Sequence, residues 1–186
     1  EDRAVNTPEN TAPENRGSEF SRPFDVRQVE GKAPHLEATE AEREALSRRF
    51  DLVRIDSLSA ELELHREDRI VEARGRLRAE IVQSCAVSAE DLPVSVDEEL
   101  FFRFVPQRTN LVPDEELEID ADDCDEIEYT GTHVDLGEAV AQSLALAIDP
   151  FLTGPEAEAA RKAAGIGSPE DQGPFAALKG LSLGKA

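Results

Sequence analysis

The chain has 186 residues, enough for one domain of ordinary size plus tails, and its apolar share of 39% is low for a chain folded throughout. Forty-one Asp and Glu residues against 20 Lys and Arg give a formal charge of -21, a field that repels bare phosphate backbones and attracts basic proteins. Two cysteines far apart, no apolar leader and no run near the ~20 apolar residues of a membrane helix argue against secreted and membrane-spanning classes, so the expectation is a soluble protein of a reducing cytoplasm.

Residues 1–19 read as a disordered tail, with two prolines, three asparagines and almost nothing to bury before Ser18. Phe20, Phe24 and Val26 open the folded region, and Pro23 points to an edge or first strand. Thr39 and Glu42 have the spacing of a capping box, which predicts a helix from Glu40 to Phe50 with Leu46 and Phe50 as its apolar stripe and a solvated outer face. Leu58, Ala60, Leu62 and Leu64 then alternate with polar residues, predicting a half-buried strand that ends near His65. The link Arg66 to Arg69 turns it back antiparallel, and His65 is read as a surface residue.

From Ile70 to Pro106 the chain reads as strand, cysteine-bearing turn, strand. Val71, Ala73, Gly75, Leu77, Ala79 and Ile81 share one face, with Glu72, Arg74, Arg76, Arg78 and Glu80 on the other. Val94, Val96, Leu100, Phe102 and Phe104 resume the alternation after Cys85, broken by Glu98. Asp114 to Glu128 carries ten acidic residues and no basic one, with Leu117, Ile119, Ile127 and Tyr129 suggesting short strands. Asp135 and Glu138 mark a second helix start, and Leu136, Val140, Leu144, Ala147 and Ile148 recur at helical spacing up to Pro150. A marginal helix from Glu156 to Ala164, a linker from Gly165 to Gly173 and a small apolar patch around Phe175 and Leu178 complete the chain.

Three groups of residues bear on chemistry. Asp120, Asp122, Asp123, Asp125 and Glu126 offer many hard oxygen ligands, but Cys124 and Asp125 fall where a calcium loop needs a ligand and a glycine, so a solvated acidic loop is expected and no metal. Cys85 would need a base such as His133 and an orienter such as Asp135 to act as a nucleophile, and nothing in the sequence brings them to it. Asp135 reads as a helix cap, His133 as a loop residue and Cys85 as a small buried hydrophobe. Arg74, Arg76 and Arg78 form a row suited to phosphate or carboxylate, with pairing to Glu61 and Glu63 on the neighbouring strand as the simpler reading. No aromatic stacking residues interleave with those arginines, so the usual stacking platform for single-stranded RNA is missing.

With Cys85, Leu92-Pro93, the phenylalanine-bearing strand, the acidic loop, the helix from Val134 to Pro150 and the closing Pro174-Phe175-Ala176-Ala177-Leu178-Lys179, the chain resembles the YceD family of bacterial large ribosomal RNA subunit accumulation proteins over about Phe20 to Leu181. The resemblance implies a noncatalytic factor of ribosome biogenesis, needed for accumulation of large-subunit ribosomal RNA and acting in the cytoplasm. Many members carry Cys-x-x-Cys at the turn and some a further cysteine after the long helix, which would suit a structural metal. Here the turn reads Cys85-Ala86-Val87-Ser88 and no cysteine follows Cys124, so neither zinc nor any other cofactor is carried over.

The expectation is therefore an α+β fold, a mainly antiparallel sheet with two covering helices, flanked by a disordered N-terminal tail and interrupted by an acidic loop. Residues 20–152 form the domain and 153–186 a linker and docking peptide. The partner is expected to be a ribosomal protein or assembly factor of the large subunit, met by Asp120, Asp122, Asp123 and Asp125 with Phe175 and Leu178 as a second anchor. Association with ribosomal RNA would then be indirect. Direct RNA binding through Arg74, Arg76 and Arg78 is the alternative, and a metal-dependent RNA-processing enzyme a further one.

Overall fold

The computed structural model describes residues 18–107 and 126–166. Within them the fold is α+β, with a five-stranded sheet, mainly antiparallel, whose one face carries two helices. In chain order the elements are β1 (Pro23–Asp25), a 3-10 turn (Val26–Gln28), β2 (His35–Glu37), α1 (Glu40–Arg49), β3 (Arg54–Glu67), β4 (Ile70–Ser84) and β5 (Asp91–Pro106). They continue with β6 (Glu126–Tyr129), β7 (His133–Asp135), α2 (Leu136–Ala147) and α3 (Ala157–Ala163). The large sheet runs β2-β3-β4-β5-β6, antiparallel except for the β5–β6 pair, and β1 and β7 form a separate two-stranded sheet.

The long strands β3, β4 and β5 set the register for everything else. Leu58 lies opposite Ala79, Ala60 opposite Leu77 and Leu64 opposite Ala73, while Ala73 faces Phe102 and Val71 faces Phe104. Because side chains alternate, this register puts the whole apolar set on one face. At the start of β3 the pairing slips between Ile55 and Ser57, leaving Asp56 as a bulge, so Ile55 and Leu58 both reach the core although three residues apart. The β3–β4 reversal is shorter than the four-residue link expected: β3 continues to Glu67 and Asp68 takes a φ of 53°. Longer pairing wins because the extra residues complete the ladder.

Both helices cover that apolar face. Thr39 caps α1 by accepting from the Glu42 amide while the Glu42 carboxylate accepts from the Thr39 amide, a complete capping box. Asp135 caps α2 by accepting from the Glu138 amide at 3.2 Å. Leu136, Val140 and Leu144 are fully buried together with Phe20, Leu46, Leu58, Leu62, Leu77 and Phe104. Each large side chain so buried contributes roughly 1.5–3 kcal/mol before entropy.

The outer face of α1, with Glu44 and Arg48, is exposed as expected, and the two helices are also joined by charge. Arg49 donates to Glu138 on α2 at 2.7 Å and to Glu19 at 2.9 Å. Arg49, with smaller help from Ser18 and Gln142, holds the Glu138 carboxyl down to about 2. Arg22 does the same for Glu42, at 2.7 Å, and that carboxyl also sits at about 2. The N-terminal segment passes close over the first turn of α2, where Arg22 donates to Asp135 at 2.7 Å and accepts from Leu136 at 3.1 Å. A Cβ at Gly137 would meet the Phe20 carbonyl oxygen, so only glycine permits this crossing. His133, expected in a loop, belongs instead to β7, because the residues around Phe24 supply it with a strand partner.

Candidate functional site

The second face of the sheet carries the candidate surface. Ser59, Glu61, Glu63 and His65 of β3 stand beside Glu72, Arg74, Arg76, Arg78 and Glu80 of β4 and Ser95, Asp97, Glu99 and Phe101 of β5. Most of these side chains are exposed, and among the described residues no helix covers them. The three arginines predicted from the two-residue period do line one strand and point to one side.

Each arginine already holds a carboxylate. Arg76 forms a two-pronged contact with Asp97 of β5, and Arg78 reaches Glu61 of β3 at 3.6 Å. Arg74 pairs with Glu72 of its own strand at 3.1 Å. The expected pairing with Glu61 and Glu63 is thus correct for Glu61 alone. Glu63 sits opposite Arg74 in register, but that guanidinium turns toward Glu72 and toward Phe101, whose ring centroid lies 4.7 Å away. Phe101 remains 46% exposed.

This contact corrects the reading that no aromatic accompanies the arginines. Phe101 comes from the adjacent strand, directly opposite Arg74. Its signal was present in Leu100-Phe101-Phe102, where an apolar residue occupies an outward position in an alternating strand. Asp97 carries no such local signal, because its meeting with Arg76 depends on the length of the turn between β4 and β5.

After these pairings the face retains negative charge. Among the described residues, the carboxylates of Glu37, Glu63, Glu80 and Glu99 form no ion pair within 4 Å, although Glu80 accepts a hydrogen bond from Ser95 at 2.6 Å. Two shallow clefts meet at the middle of β4. One, about 550 Å³, lies toward β2 and β3 and is lined by His35, Glu61, Glu63 and Arg78. The other, about 380 Å³, lies toward β5 beside Glu99 and Phe101. Both include Arg74, Arg76 and Gly75, and at Gly75 a Cβ would run into the Glu61 carbonyl, so a bare backbone lets the two strands approach closely there.

The Cys85 turn is a second constructed spot. Cys85 is buried, but its Sγ accepts from the amides of Ser88 at 3.3 Å, Val87 at 3.4 Å and Gly154 at 3.4 Å. Hydrogen bonding from Ser88, followed by the Gly154 and Val87 amides, pulls the thiol down to about 7. Cys85 is buried, as expected, and in addition accepts three backbone hydrogen bonds. The turn is closed by Ala86 donating to Leu152 at 2.9 Å, while Glu90 accepts from Ser88 and from the Glu156 amide, each at 2.9 Å. Sequence spacing could not reveal this approach of residues 152–156. Asp135 is engaged with Ser21, Arg22 and the α2 cap, so it does not orient a base for Cys85.

Asp120, Asp122, Asp123 and Asp125 lie outside the described residues, as do Leu117, Ile119, Cys124, Phe175 and Leu178 and the segment 1–17. Among the described residues no group of three or more His, Cys, Asp and Glu side chains is placed to hold a metal ion, and no helix is long and apolar enough to cross a membrane.

Comparison with curated proteins and with solved structures returned no match. The family model described as large ribosomal RNA subunit accumulation protein YceD matches residues 73–182, from within β4 to beyond α3 and over more than half of the chain. With the cysteine turn, the phenylalanine-bearing β5 and the capped α2 all inside that match, the chain belongs to the YceD family, whose name places it in the accumulation of large-subunit ribosomal RNA.

Proposed function

We propose that this protein is a noncatalytic assembly factor of the large ribosomal subunit that works in the cytoplasm through contacts with a basic ribosomal protein or maturation factor. The observation that carries this reading is the state of the arginine row: Arg74, Arg76 and Arg78 are already engaged by Glu72, Asp97 and Glu61. A phosphate backbone would have to displace those carboxylates and approach a chain of charge -21. A basic protein meets attraction instead, and the acidic run with Asp120, Asp122, Asp123 and Asp125 adds to it, with Phe175 and Leu178 as a further anchor. Co-sedimentation with large-subunit precursors tests the reading. Association at low salt that weakens steeply as salt rises is expected; no association even at low salt contradicts it.

Direct RNA binding is the second reading, and the pair formed by Arg74 and the half-exposed Phe101 favours it, because a guanidinium and a ring side by side can receive a base. An RNA mobility shift abolished by replacing Arg74, Arg76 and Arg78 together would establish it.

A further inference from the structure

We infer that the open face of β3, β4 and β5 docks an extended, lysine- and arginine-rich protein segment, with Glu63, Glu80 and Glu99 as its charge contacts and Phe101 as its apolar anchor. The inference rests on the protein-contact reading above and names the surface that serves it.

Charge decides the occupant. Once Glu61, Glu72 and Asp97 have paired with the three arginines, the carboxylates of Glu63, Glu80 and Glu99 form no ion pair within 4 Å among the described residues, although Glu63 lies across from Arg74 and Glu99 across from Arg76. A ligand that brings cations fills those vacant pairings and leaves the internal ones in place. An anionic ligand must give up each exposed pair it breaks, a modest cost, and it then meets the remaining carboxylates as like charges.

Geometry favours an extended segment. Glu63 lies on the cross-strand line of Arg74, Glu99 on that of Arg76, and Glu80 four positions further along β4. At about 3.3 Å per residue these three carboxylates are spread over roughly 20 Å along the strand, with even-numbered intervals between their lines. A chain in β conformation presents every second side chain to one side, so cations at alternate residues fall into step with that spacing. The clefts on either side of Gly75 give the aliphatic stems of lysine or arginine a place to lie, and the exposed Phe101 ring closes one of them.

The test measures binding of a fluorescent peptide of alternating lysine and alanine to the full-length chain by anisotropy. Three forms are compared: the parent, the triple variant Glu63→Gln, Glu80→Gln and Glu99→Gln, and a control with Glu40→Gln, Glu44→Gln and Glu158→Gln, which changes net charge equally on the helices. The face variant is expected to bind about tenfold more weakly, as three modest pairings together imply, and the control to stay within about twofold. Phe101→Ala should also weaken binding while leaving the melting temperature unchanged. Equal loss in the face variant and the control would overturn the inference, because the peptide would then sense bulk charge alone.

Repeating the comparison with large-subunit precursors separates this inference from the reading beneath it. Parent and face variant associating equally would remove the face assignment and keep the protein-contact reading; a parent that does not associate would remove the reading itself. Tight binding of a large-subunit ribosomal RNA fragment, lost on replacing the three arginines and indifferent to the glutamate changes, would also overturn the inference.

Discussion

The two faces of one sheet show what side-chain alternation can do with a single run of residues. Along β4, Val71, Ala73, Leu77, Ala79 and Ile81 lie beneath the helices and are almost wholly buried, while Arg74, Arg76, Arg78 and Glu80 stand exposed between them. The covered face is held by packing, which tolerates little change in volume. The open face is held by ion pairs in water, each worth about 0–1 kcal/mol. Stability therefore resides on one side, and the other is free to vary for recognition.

The largest expected effect comes from placing charge on the covered side. Leu144→Asp puts an unpaired carboxylate where a leucine is fully buried, and a loss of about 4–5 kcal/mol or more is expected, enough to unfold the domain. An unchanged melting temperature would remove α2 from the core. Gly75→Ala follows, because its Cβ meets the Glu61 backbone; a loss of about 1–3 kcal/mol, or somewhat more, should appear in denaturant titration. If instead it is neutral, the close approach of β3 and β4 is not required.

Charge that bridges the helices should show an intermediate effect, and its pH dependence has a definite sign. The folded pKa of Glu138 is depressed from 4.5 to about 2, so its contribution is fully present above about 4.5 and is lost as pH falls through 2. Glu138→Gln should lower the melting temperature near neutral pH, and the gap to the parent should close as the solution is acidified across that window. A gap independent of pH would mean that packing, not charge, is lost.

The smallest effects belong to the open face and the cysteine turn. Asp97→Asn breaks the Arg76 pair on exposed strands and should cost no more than about 1 kcal/mol. Cys85→Ser keeps an acceptor for the Ser88, Val87 and Gly154 amides, so a cost of about 1 kcal/mol and nearly normal ribosomal RNA levels are expected. Severe loss of ribosomal RNA in a stably folded Cys85→Ser variant would assign the thiol a role that no contact here accounts for.

How far the sequence carried the fold depends on the range of the interaction. The capping pairs Thr39–Glu42 and Asp135–Glu138, the alternation from Val71 to Ile81 and the stripe Leu136, Val140, Leu144 are local, and each appears where its spacing puts it. The pairing of β1 with β7, the Arg49–Glu138 bridge and the approach of Gly154 to Cys85 join residues with no shared period, so no local pattern encodes them. The candidate face shows the same division. Its arginine row was readable from β4 alone, whereas Asp97 and Phe101 join it only through the β4–β5 register.

Zero-length carboxylate-to-lysine crosslinking on purified large-subunit precursors, read by mass spectrometry, would locate the partner on or off the open face. Crosslinks are expected from Glu63, Glu80 or Glu99 to lysines of a basic large-subunit protein, lost when those glutamates become glutamine. Crosslinks that avoid this face, together with photochemical attachment of Phe101 to ribosomal RNA, would contradict docking there.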